Sequence, residues 1–258
     1  SLEWRDTKIN ILDAPGKFDF AGGMAEAMRA ADCAVIVTSA GSGIDVGLEK
    51  AIKAADQRNI AKFFAVTKVD SENRDFYKTF DTLKAHLGTK LCPVVVPYIE
   101  NDEVKGYIDL IENKAYAFEG INKKELRMPV STEIDNMRSM LLEAIATTDE
   151  ALMEKYFAGE EFTRKEIIQA LNQGVNESSV YPVYACSGYT MDGVDLLMDE
   201  LAYSAPDAAS YAGGKDVDCD EDGPLAALCF KTVADPFVGK MSYFKVISGK
   251  ITSDTPAY

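Results

Sequence analysis

The sequence is poor in histidine and has no paired cysteines. His86 is the only histidine, and the five cysteines are odd in number and widely spaced, with no C-x-x-C pair. With one histidine, histidine-based metal sites and Ser-His-Asp triads are not expected. Scattered thiols are typical of reduced cysteines in a cytoplasmic protein, and they argue against a disulfide framework or a structural zinc site.

Long apolar runs and an excess of basic residues are also lacking. No run approaches the roughly 20 apolar residues that a membrane span needs, and the N-terminus has no basic-then-apolar signal pattern. Lys and Arg number 27 against 42 Asp and Glu, which gives a net charge of −15. Such a chain has no overall attraction to phosphate backbones. We therefore expect no membrane association and no autonomous nucleic-acid binding.

What the sequence does contain is 47% hydrophobic residues over 258 positions, enough for one large domain or two ordinary ones. Strand-like and helix-like runs alternate over the first 90 residues. In order, they are a hairpin of strands at 2–4 and 8–12, a helix at about 21–31, a strand at 33–40, a helix at 46–57, a strand at 61–66 and a helix at 74–87. This rhythm predicts an α/β fold with an open, doubly wound sheet, in which strand 33–40 is central and covered on both faces.

The rhythm breaks in the middle of the chain. Short strand-like runs followed by long helical patterns predict an α+β insertion at 91–178. A strand at 180–186 and a helix at 193–203 then resume the first pattern. The main domain is thus expected to comprise 1–90 and 179–204.

The composition changes again near the C-terminal end. Small residues and the run DVDCDEDG predict an acidic linker at 205–223. From residue 224 to residue 258, alternating residues separated by Gly turns predict the beginning of an antiparallel β-barrel.

One candidate site follows the third apolar strand, where the sequence reads VTKVD. In doubly wound sheets, ligands bind beyond the carboxyl ends of the strands. The Asp70 carboxylate could accept two hydrogen bonds from guanine N1–H and its exocyclic amine, while the Lys68 stem lies along the base. Adenine lacks that donor pair, so the carboxylate would select guanine. The same four letters are also common in ordinary surface turns.

Two further loops follow strand-like runs. In ILDAPGK, an Asp-Ala-Pro-Gly sequence ends the run, as in phosphate- and magnesium-sensing loops, although an ordinary strand-turn-helix junction also fits. In ACSGYTMDGV, small residues would let backbone N–H groups approach a ligand carbonyl such as guanine O6. Small residues after a strand also occur for packing alone.

The order of these pieces resembles the nucleotide pocket of GTP-binding proteins. Together with EKYFAGEEFTRKEI and LCFKTVADPFVGKMSYFKVISGKITS, the stretches KINILDAPGKFDF, AVIVTSAGSGIDVGLEKA and FFAVTKVDSENRDF resemble bacterial elongation factor G. They also resemble its elongation-factor-G-like paralogues and the tetracycline-resistance ribosomal protection proteins. The resemblance covers nearly the whole chain in collinear order. It implies a P-loop-GTPase-type sheet, GTP or GDP with Mg²⁺ as the bound group, the ribosome as partner, and GTP hydrolysis.

The resemblance also implies roles for individual residues. Asp13 would hold Mg²⁺ through a water, the Gly16 amide would sense the γ-phosphate, and Lys68 and Asp70 would read the guanine. Ser187 and Gly188 would complete the base pocket. The other positions of the predicted GTP site are Ala14, Pro15, Lys17, Thr67, Val69 and Cys186.

Two of these positions depart from the family pattern. Thr67 stands where the family has an Asn that braces the base, and a hydroxyl supplies fewer hydrogen bonds than an amide. Lys17 stands where elongation factor G has the histidine that orients the attacking water. A charged lysine has donors and no acceptor, so it could neutralise phosphate charge but could not orient water in the same way. Slow or altered hydrolysis is the resulting hypothesis, and a non-hydrolysing ribosome-interaction protein or a ribosomal protection factor is the alternative.

No G-x-x-x-x-G-K-[ST] motif occurs in the 258 residues. In the family this loop cradles the phosphates and supplies a magnesium ligand. The expectation is therefore a fragment that begins inside the GTPase domain and is itself inactive. Its sheet would lack the family's first strand between the strands at 8–12 and 33–39. These two strands would then pair directly, or the exposed edges would drive self-association.

Three other patterns are weaker. GSGIDVG has the spacing G-x-G-x-x-x-G, which does not match the dinucleotide-binding fingerprint. The run from Asp218 to Gly223 opens like a calcium loop, but Cys229 stands at the twelfth position where such a loop needs Glu. Glu160 and Glu161, just before Thr163, are expected in a helix-start turn.

Overall fold

The computed structural model describes residues 1–72, 74–119, 122–207, 209 and 217–253. The chain divides into two units, each taken by itself below. The first unit comprises Ser1–Ile11 and Cys33–Ala205, and the second comprises Leu12–Asp32 and Pro206–Tyr258.

The strands and helices follow in chain order. The strands are β1 (Leu2–Trp4), β2 (Thr7–Ile9), β3 (Cys33–Ser39), β4 (Ala61–Thr67), β5 (Leu91–Glu100), β6 (Glu103–Asp109), β7 (Lys114–Glu119), β8 (Asn122–Leu126), β9 (Tyr181–Ala185), β10 (Ala226–Asp235) and β11 (Gly239–Ser248). The helices are α1 (Ala21–Ala30), α2 (Val46–Gln57), α3 (Phe76–Leu87), α4 (Thr132–Ala146), α5 (Glu150–Phe157), α6 (Arg164–Asn176) and α7 (Val194–Ser204). Short 3-10 turns cover Phe18–Phe20 and Gly88–Lys90.

A seven-stranded sheet forms the centre of the first unit, in the order β3-β4-β9-β5-β6-β7-β8. The four strands β3, β4, β9 and β5 run parallel. All of β9, and all of β4 before Thr67, are buried. Both faces of this central part are therefore covered, which is why its sequence reads as near-continuous apolar runs. The predicted α/β architecture with a doubly wound sheet is confirmed.

The expectation that strand 33–40 is central and covered on both faces is wrong. β3 lies at the end of the sheet, and Val37 on one of its faces is 60% exposed. A continuous apolar run predicts burial on both faces, but β-branched residues also suit a strand with one open face.

The expected strand at 8–12 is shorter than predicted and pairs elsewhere. β2 forms a two-stranded hairpin with β1, and no described strand pairs with the outer side of β3. The turn residues Arg5 and Asp6 both have positive φ, as a two-residue hairpin turn requires. Local pairing with β1 costs less loop-closure entropy than reaching β3, so direct closure of the two predicted strands does not occur in this chain.

The strands of residues 91–126 continue the main sheet. β5 pairs with β9 on one side and with β6 on the other, and β6, β7 and β8 follow as an antiparallel meander. The predicted insertion at 91–178 therefore contributes strands to the same sheet and belongs to the first unit. The strand β8, with the sequence NKKEL, was not predicted.

The helices begin at residues that the sequence favours for helix starts. Asp45 accepts a hydrogen bond from Leu48 N at 2.7 Å, and Asp75 accepts one from Lys78 N at 3.0 Å. Thr163 and Glu166 form a reciprocal capping box at the start of α6. The predicted helix start next to Glu160 and Glu161 is thereby confirmed. Among the helices of the described ranges, none is long and apolar enough to cross a bilayer.

The second unit contains α1 and the antiparallel ribbon of β10 and β11. Asp235 accepts hydrogen bonds from Phe237 N and Val238 N, both at 2.8 Å, and so closes the turn between the two strands. This ribbon fits the predicted start of a β-barrel, which stays a prediction. Of the predicted acidic linker, residues 208 and 210–216 lie outside the described residues, as do residues 254–258 of the last predicted strand.

Candidate functional site

The carboxyl ends of β4 and β9 lie side by side in the sheet. Val66 pairs with Ala185, and Cys186 N donates to Val66 O at 3.0 Å. The loops that follow these strands therefore start next to each other. This is where the doubly wound topology places a ligand crevice.

The first loop is a tight turn from Thr67 to Asp70. Lys68 has a φ of +59°, and Ser71 N donates to Lys68 O at 3.2 Å. Val69 is buried, whereas the side chains of Lys68 and Asp70 are exposed. The turn thus anchors one apolar side chain and leaves the ammonium and the carboxylate accessible to a ligand.

The second loop is closed by its own hydrogen bonds. Ser187 N donates to Asp192 O at 2.9 Å, and Ser187 Oγ accepts from Tyr189 N at 3.2 Å and from Thr190 N at 3.1 Å. Ser187 is completely buried. Its hydroxyl therefore shapes the loop, and the exposed part of the loop begins at the next residue, Gly188.

One hydrogen bond joins the two loops. Gly188 N donates to Thr67 Oγ1 at 3.3 Å. The buried Cys186 thiol also hydrogen-bonds to the Thr67 side chain; burial raises the pKa of Cys186 to about 11, and this bond acts in the opposite direction. The structure thus brings together the predicted residues of 67–70 and 186–188.

Three residues that the motifs did not single out also belong to this region. Gly193 ends the second loop with a φ of +74°, and a Cβ at this position would lie 2.8 Å from Ala185 O. The same Cβ would lie 3.2 Å from Cδ1 of Tyr107, a β6 residue. Asp192 precedes Gly193, and burial raises the pKa of its carboxyl group. Tyr107 is far from the loops in sequence, so no local motif could reveal it.

The residues of the phosphate-side prediction lie in the second unit. Asp13, Pro15, Gly16 and Lys17 are exposed and Ala14 is half-buried, with no regular secondary structure from Asn10 to Gly16. Asp13 therefore does not directly follow a strand, contrary to the expected strand-to-loop transition. Their place in a single pocket with the two loops above stays a prediction.

A magnesium ion can be tested against the donors present. Among the described residues, no three His, Cys, Asp or Glu side chains cluster to hold a metal. Mg²⁺ in nucleotide sites is commonly held by one or two carboxylates together with phosphate oxygens and waters. The single exposed carboxylate of Asp13 fits a magnesium ion that arrives with a nucleotide.

A separate polar cleft of about 170 Å³ lies elsewhere in the first unit. Asp109 and Glu200 line it together with Arg5, Arg164 and Asp199. Burial raises the pKa of Glu200 to about 7, and Ser204 donates a short hydrogen bond to it. None of the predicted GTP-site residues lines this cleft.

Comparison with known proteins gives a consistent result. Residues 1–207 match the family described as "Elongation factor Tu GTP binding domain". Elongation factor G of Ureaplasma parvum serovar 3 is 32% identical over 270 residues, which cover 99% of this chain and 39% of that protein. Elongation factor G of Ureaplasma urealyticum serovar 10 matches with the same identity and coverage.

A solved structure shares the fold. The crystal structure of ttk003000868 from Thermus thermophilus superposes with a TM-score of 0.83 and 34% sequence identity, covering 96% of this chain and 36% of that one. The chain thus spans well under half the length of the relatives that it matches. It belongs to the family of elongation factor Tu GTP-binding domains.

Proposed function

We propose that the protein is a translational GTPase of the elongation factor G type, which binds guanine nucleotide and hydrolyses GTP on the ribosome. The observation that carries the proposal is the pairing of two loops at the carboxyl edge of β4 and β9, with Asp70 and Gly188 exposed on them. Guanine recognition needs an acceptor pair for N1–H and the amine and a donor for O6. The Asp70 carboxylate provides the acceptor pair, and the Gly188 backbone amide provides the donor.

In this proposal each exposed group has one task. The Asp70 carboxylate accepts from guanine N1–H and its exocyclic amine, and the Lys68 stem covers one face of the base. The Gly188 amide donates to O6. Val69 anchors the first turn, and Cys186 and Ser187 hold the second loop through the bond from Cys186 N to Val66 O and the bond from Tyr189 N to Ser187 Oγ.

The phosphate side rests on Asp13 to Lys17. Asp13 would hold Mg²⁺ through a water, and the Gly16 amide would meet the γ-phosphate, with Ala14 and Pro15 fixing the loop between them. The bound Mg²⁺ would neutralise phosphate charge. Lys17 would add a positive charge there but would not orient the attacking water, so hydrolysis is slow, and Lys17→His in a protein with a complete phosphate loop would speed it.

The 258 residues themselves are proposed to bind GDP only weakly and not to hydrolyse GTP, because no phosphate-cradling G-x-x-x-x-G-K-[ST] loop is among them. Base contacts alone support dissociation constants of about millimolar. The proposed location is the cytoplasm and the proposed macromolecular partner is the ribosome. Self-association through the open edge of β3 is a further proposal.

A base-exchange experiment tests the guanine site. Asp70→Asn replaces an acceptor pair by one acceptor and one donor, which suits xanthine, whose C2 carries a carbonyl in place of the amine. In a heteronuclear NMR titration with magnesium, the amides of 67–70 and 186–188 should shift with GDP but not with ADP. In the Asp70→Asn variant, the same amides should shift with xanthosine diphosphate and should no longer shift with GDP. Equal shifts with GDP and ADP would contradict guanine recognition.

A second candidate is a ribosome-interaction protein that does not hydrolyse GTP, or a ribosomal protection factor. Two observations favour it: Lys17 at the water-orienting position and the engagement of Gly188 N by Thr67 Oγ1. A ribosome-stimulated GTPase assay on a longer protein that includes a complete phosphate loop separates it from the first proposal. Phosphate release above the ribosome-only background supports the GTPase, and its absence supports the second candidate.

A further inference from the structure

Tyr107 carries a buried hydroxyl group without a hydrogen-bond partner. The residue is 1% exposed, and among the described residues nothing accepts from or donates to its Oη atom. Burying a hydroxyl without a partner costs about 1–3 kcal/mol, so a phenylalanine at this position would suit folding alone better. The hydroxyl therefore calls for a functional reason.

The ring has two close neighbours. Phe118 packs edge-to-face on it, with ring centroids 5.6 Å apart and an interplanar angle of 79°. A Cβ at Gly193 would approach Cδ1 of the ring to 3.2 Å and Cε1 to 3.3 Å. Gly193 stands where the second loop returns to the sheet beside Ala185 O. The ring thus supports the neck of the loop that runs from Cys186 to Asp192.

Negative charges of the same region act on the hydroxyl. Burial raises the pKa of Tyr107, and the negative charges of Asp192 and Asp70 and the Cys186 thiol act in the same direction, with Asp192 the strongest of the three. Asp192 also closes the loop by accepting from Ser187 N through its backbone. The ring of Tyr107 thus lies beside Gly193, and the preceding residue, Asp192, both sets the loop geometry and carries a charge that acts on the phenol.

We propose that Tyr107 is a positioning residue of the guanine site: when the base binds, its hydroxyl donates a hydrogen bond to the Asp192 carboxylate and holds the Cys186–Asp192 loop closed on guanine O6. The inference rests on the proposed function and deepens it. A strand of the segment 91–178 thereby takes part in base recognition.

The test compares two tyrosine-to-phenylalanine variants of the same chain. Tyr107→Phe removes the proposed group. Tyr184→Phe is the matched control, because the Tyr184 hydroxyl is also fully buried and, among the described residues, without a partner, but its electrostatic neighbours are Glu200, Cys92 and Asp109. GDP, inosine diphosphate and ADP are titrated with magnesium, and the initial slope of the Gly188 amide shift is measured. Thermal unfolding without nucleotide is measured in parallel.

If Tyr107 positions the loop, Tyr107→Phe should weaken nucleotide binding without lowering thermal stability. Tyr107→Phe should keep or raise the melting temperature, while the slope with GDP and with inosine diphosphate falls about ten-fold, since a hydrogen bond to a charged group is lost. Both nucleotides carry O6, so the slope should fall by the same factor with each of them. Tyr184→Phe should leave both slopes unchanged.

Three results would overturn the inference. The slopes of Tyr107→Phe could equal those of the unsubstituted chain, they could fall only together with the melting temperature, or the loss could be confined to GDP, which would put the effect at Asp70. Absence of any GDP-specific shift in the unsubstituted chain would instead overturn the proposed function, and this inference with it.

Discussion

Gly188 N donates a hydrogen bond to Thr67 Oγ1 at 3.3 Å, across the two loops that follow β4 and β9. This donor is the amide that the proposed site offers to guanine O6. A base that binds there must compete with the Thr67 hydroxyl. Thr67, which stands where the family has asparagine, therefore occupies the donor that the proposed base site needs.

Removing this competition should strengthen nucleotide binding. Thr67→Val keeps the shape of the side chain and releases Gly188 N, so GDP should bind about two-fold to three-fold more tightly, as expected when a long, neutral hydrogen bond is removed. Thr67→Ser keeps the hydroxyl and should bind like the unsubstituted chain. The NMR titration measures both, and weaker binding by Thr67→Val would contradict the competition.

The N-terminal hairpin should depend on one carboxylate of α7. Asp199 accepts from Trp4 Nε1 at 2.7 Å and from the Arg5 guanidinium at 2.5 and 2.7 Å. Asp199→Ala should loosen β1 and β2 by about 1 kcal/mol, the scale of a partly exposed polar cluster. Trp4 is the only tryptophan, so its fluorescence emission should shift to the red. Asp195→Ala, on the same helix but paired with Lys123, should leave the emission unchanged.

The carboxyl group of Glu200 should make stability depend on pH. Burial raises its pKa to about 7, Asp109 and Asp199 add to this, and Ser204 and Arg164 oppose it. The folded protein therefore holds the proton more tightly than the unfolded chain. The contribution is fully present below the unfolded pKa of about 4.5 and is lost as the pH rises through about 7.

Glu200→Gln removes that loss while leaving Ser204 an oxygen to donate to. The unfolding free energy of the variant minus that of the unsubstituted chain should be about 2 kcal/mol larger at pH 8 than at pH 5, so the variant is relatively more stable at pH 8. Urea denaturation at both pH values measures the difference. Glu154→Gln, at an exposed position of α5, should show no such trend. A pH-independent difference for Glu200→Gln would show that Glu200 does not titrate in this range.

A backbone contact in the meander should make Gly106 intolerant of any side chain. A Cβ there would lie 2.3 Å from Tyr116 O, a backbone atom of the paired strand β7. Gly106→Ala must push β6 and β7 apart and should cost about 2–3 kcal/mol of unfolding free energy. At Gly188 a Cβ would meet its nearest atom at 3.8 Å, so Gly188→Ala should change stability little. A urea midpoint for Gly106→Ala equal to that of Gly188→Ala would disprove the clash.

The sequence predicted the parallel part of the fold and the loops that follow it. Apolar runs such as 61–66 reflect burial on both faces, and their alternation with helices predicts a parallel sheet. Asp45 and Asp75 mark helix starts through a local hydrogen bond to the backbone. Such signals lie within a few residues of the feature that they predict.

Features that depend on distant neighbours were missed. β8 has no apolar alternation because four of its five residues are exposed and it pairs with β7 through the backbone. Tyr107 reaches the site from β6 through tertiary packing.

The position of β9 has a kinetic consequence. β5 to β8 are formed from neighbours along the chain, whereas β9 must insert between β4 and β5 after more than half of the domain has been synthesised. Low contact order favours early formation of the meander, and high contact order delays β9. We expect the loop from Cys186 to Asp192 to be completed in the last step of folding, so a folding intermediate would have the meander but not the proposed guanine site.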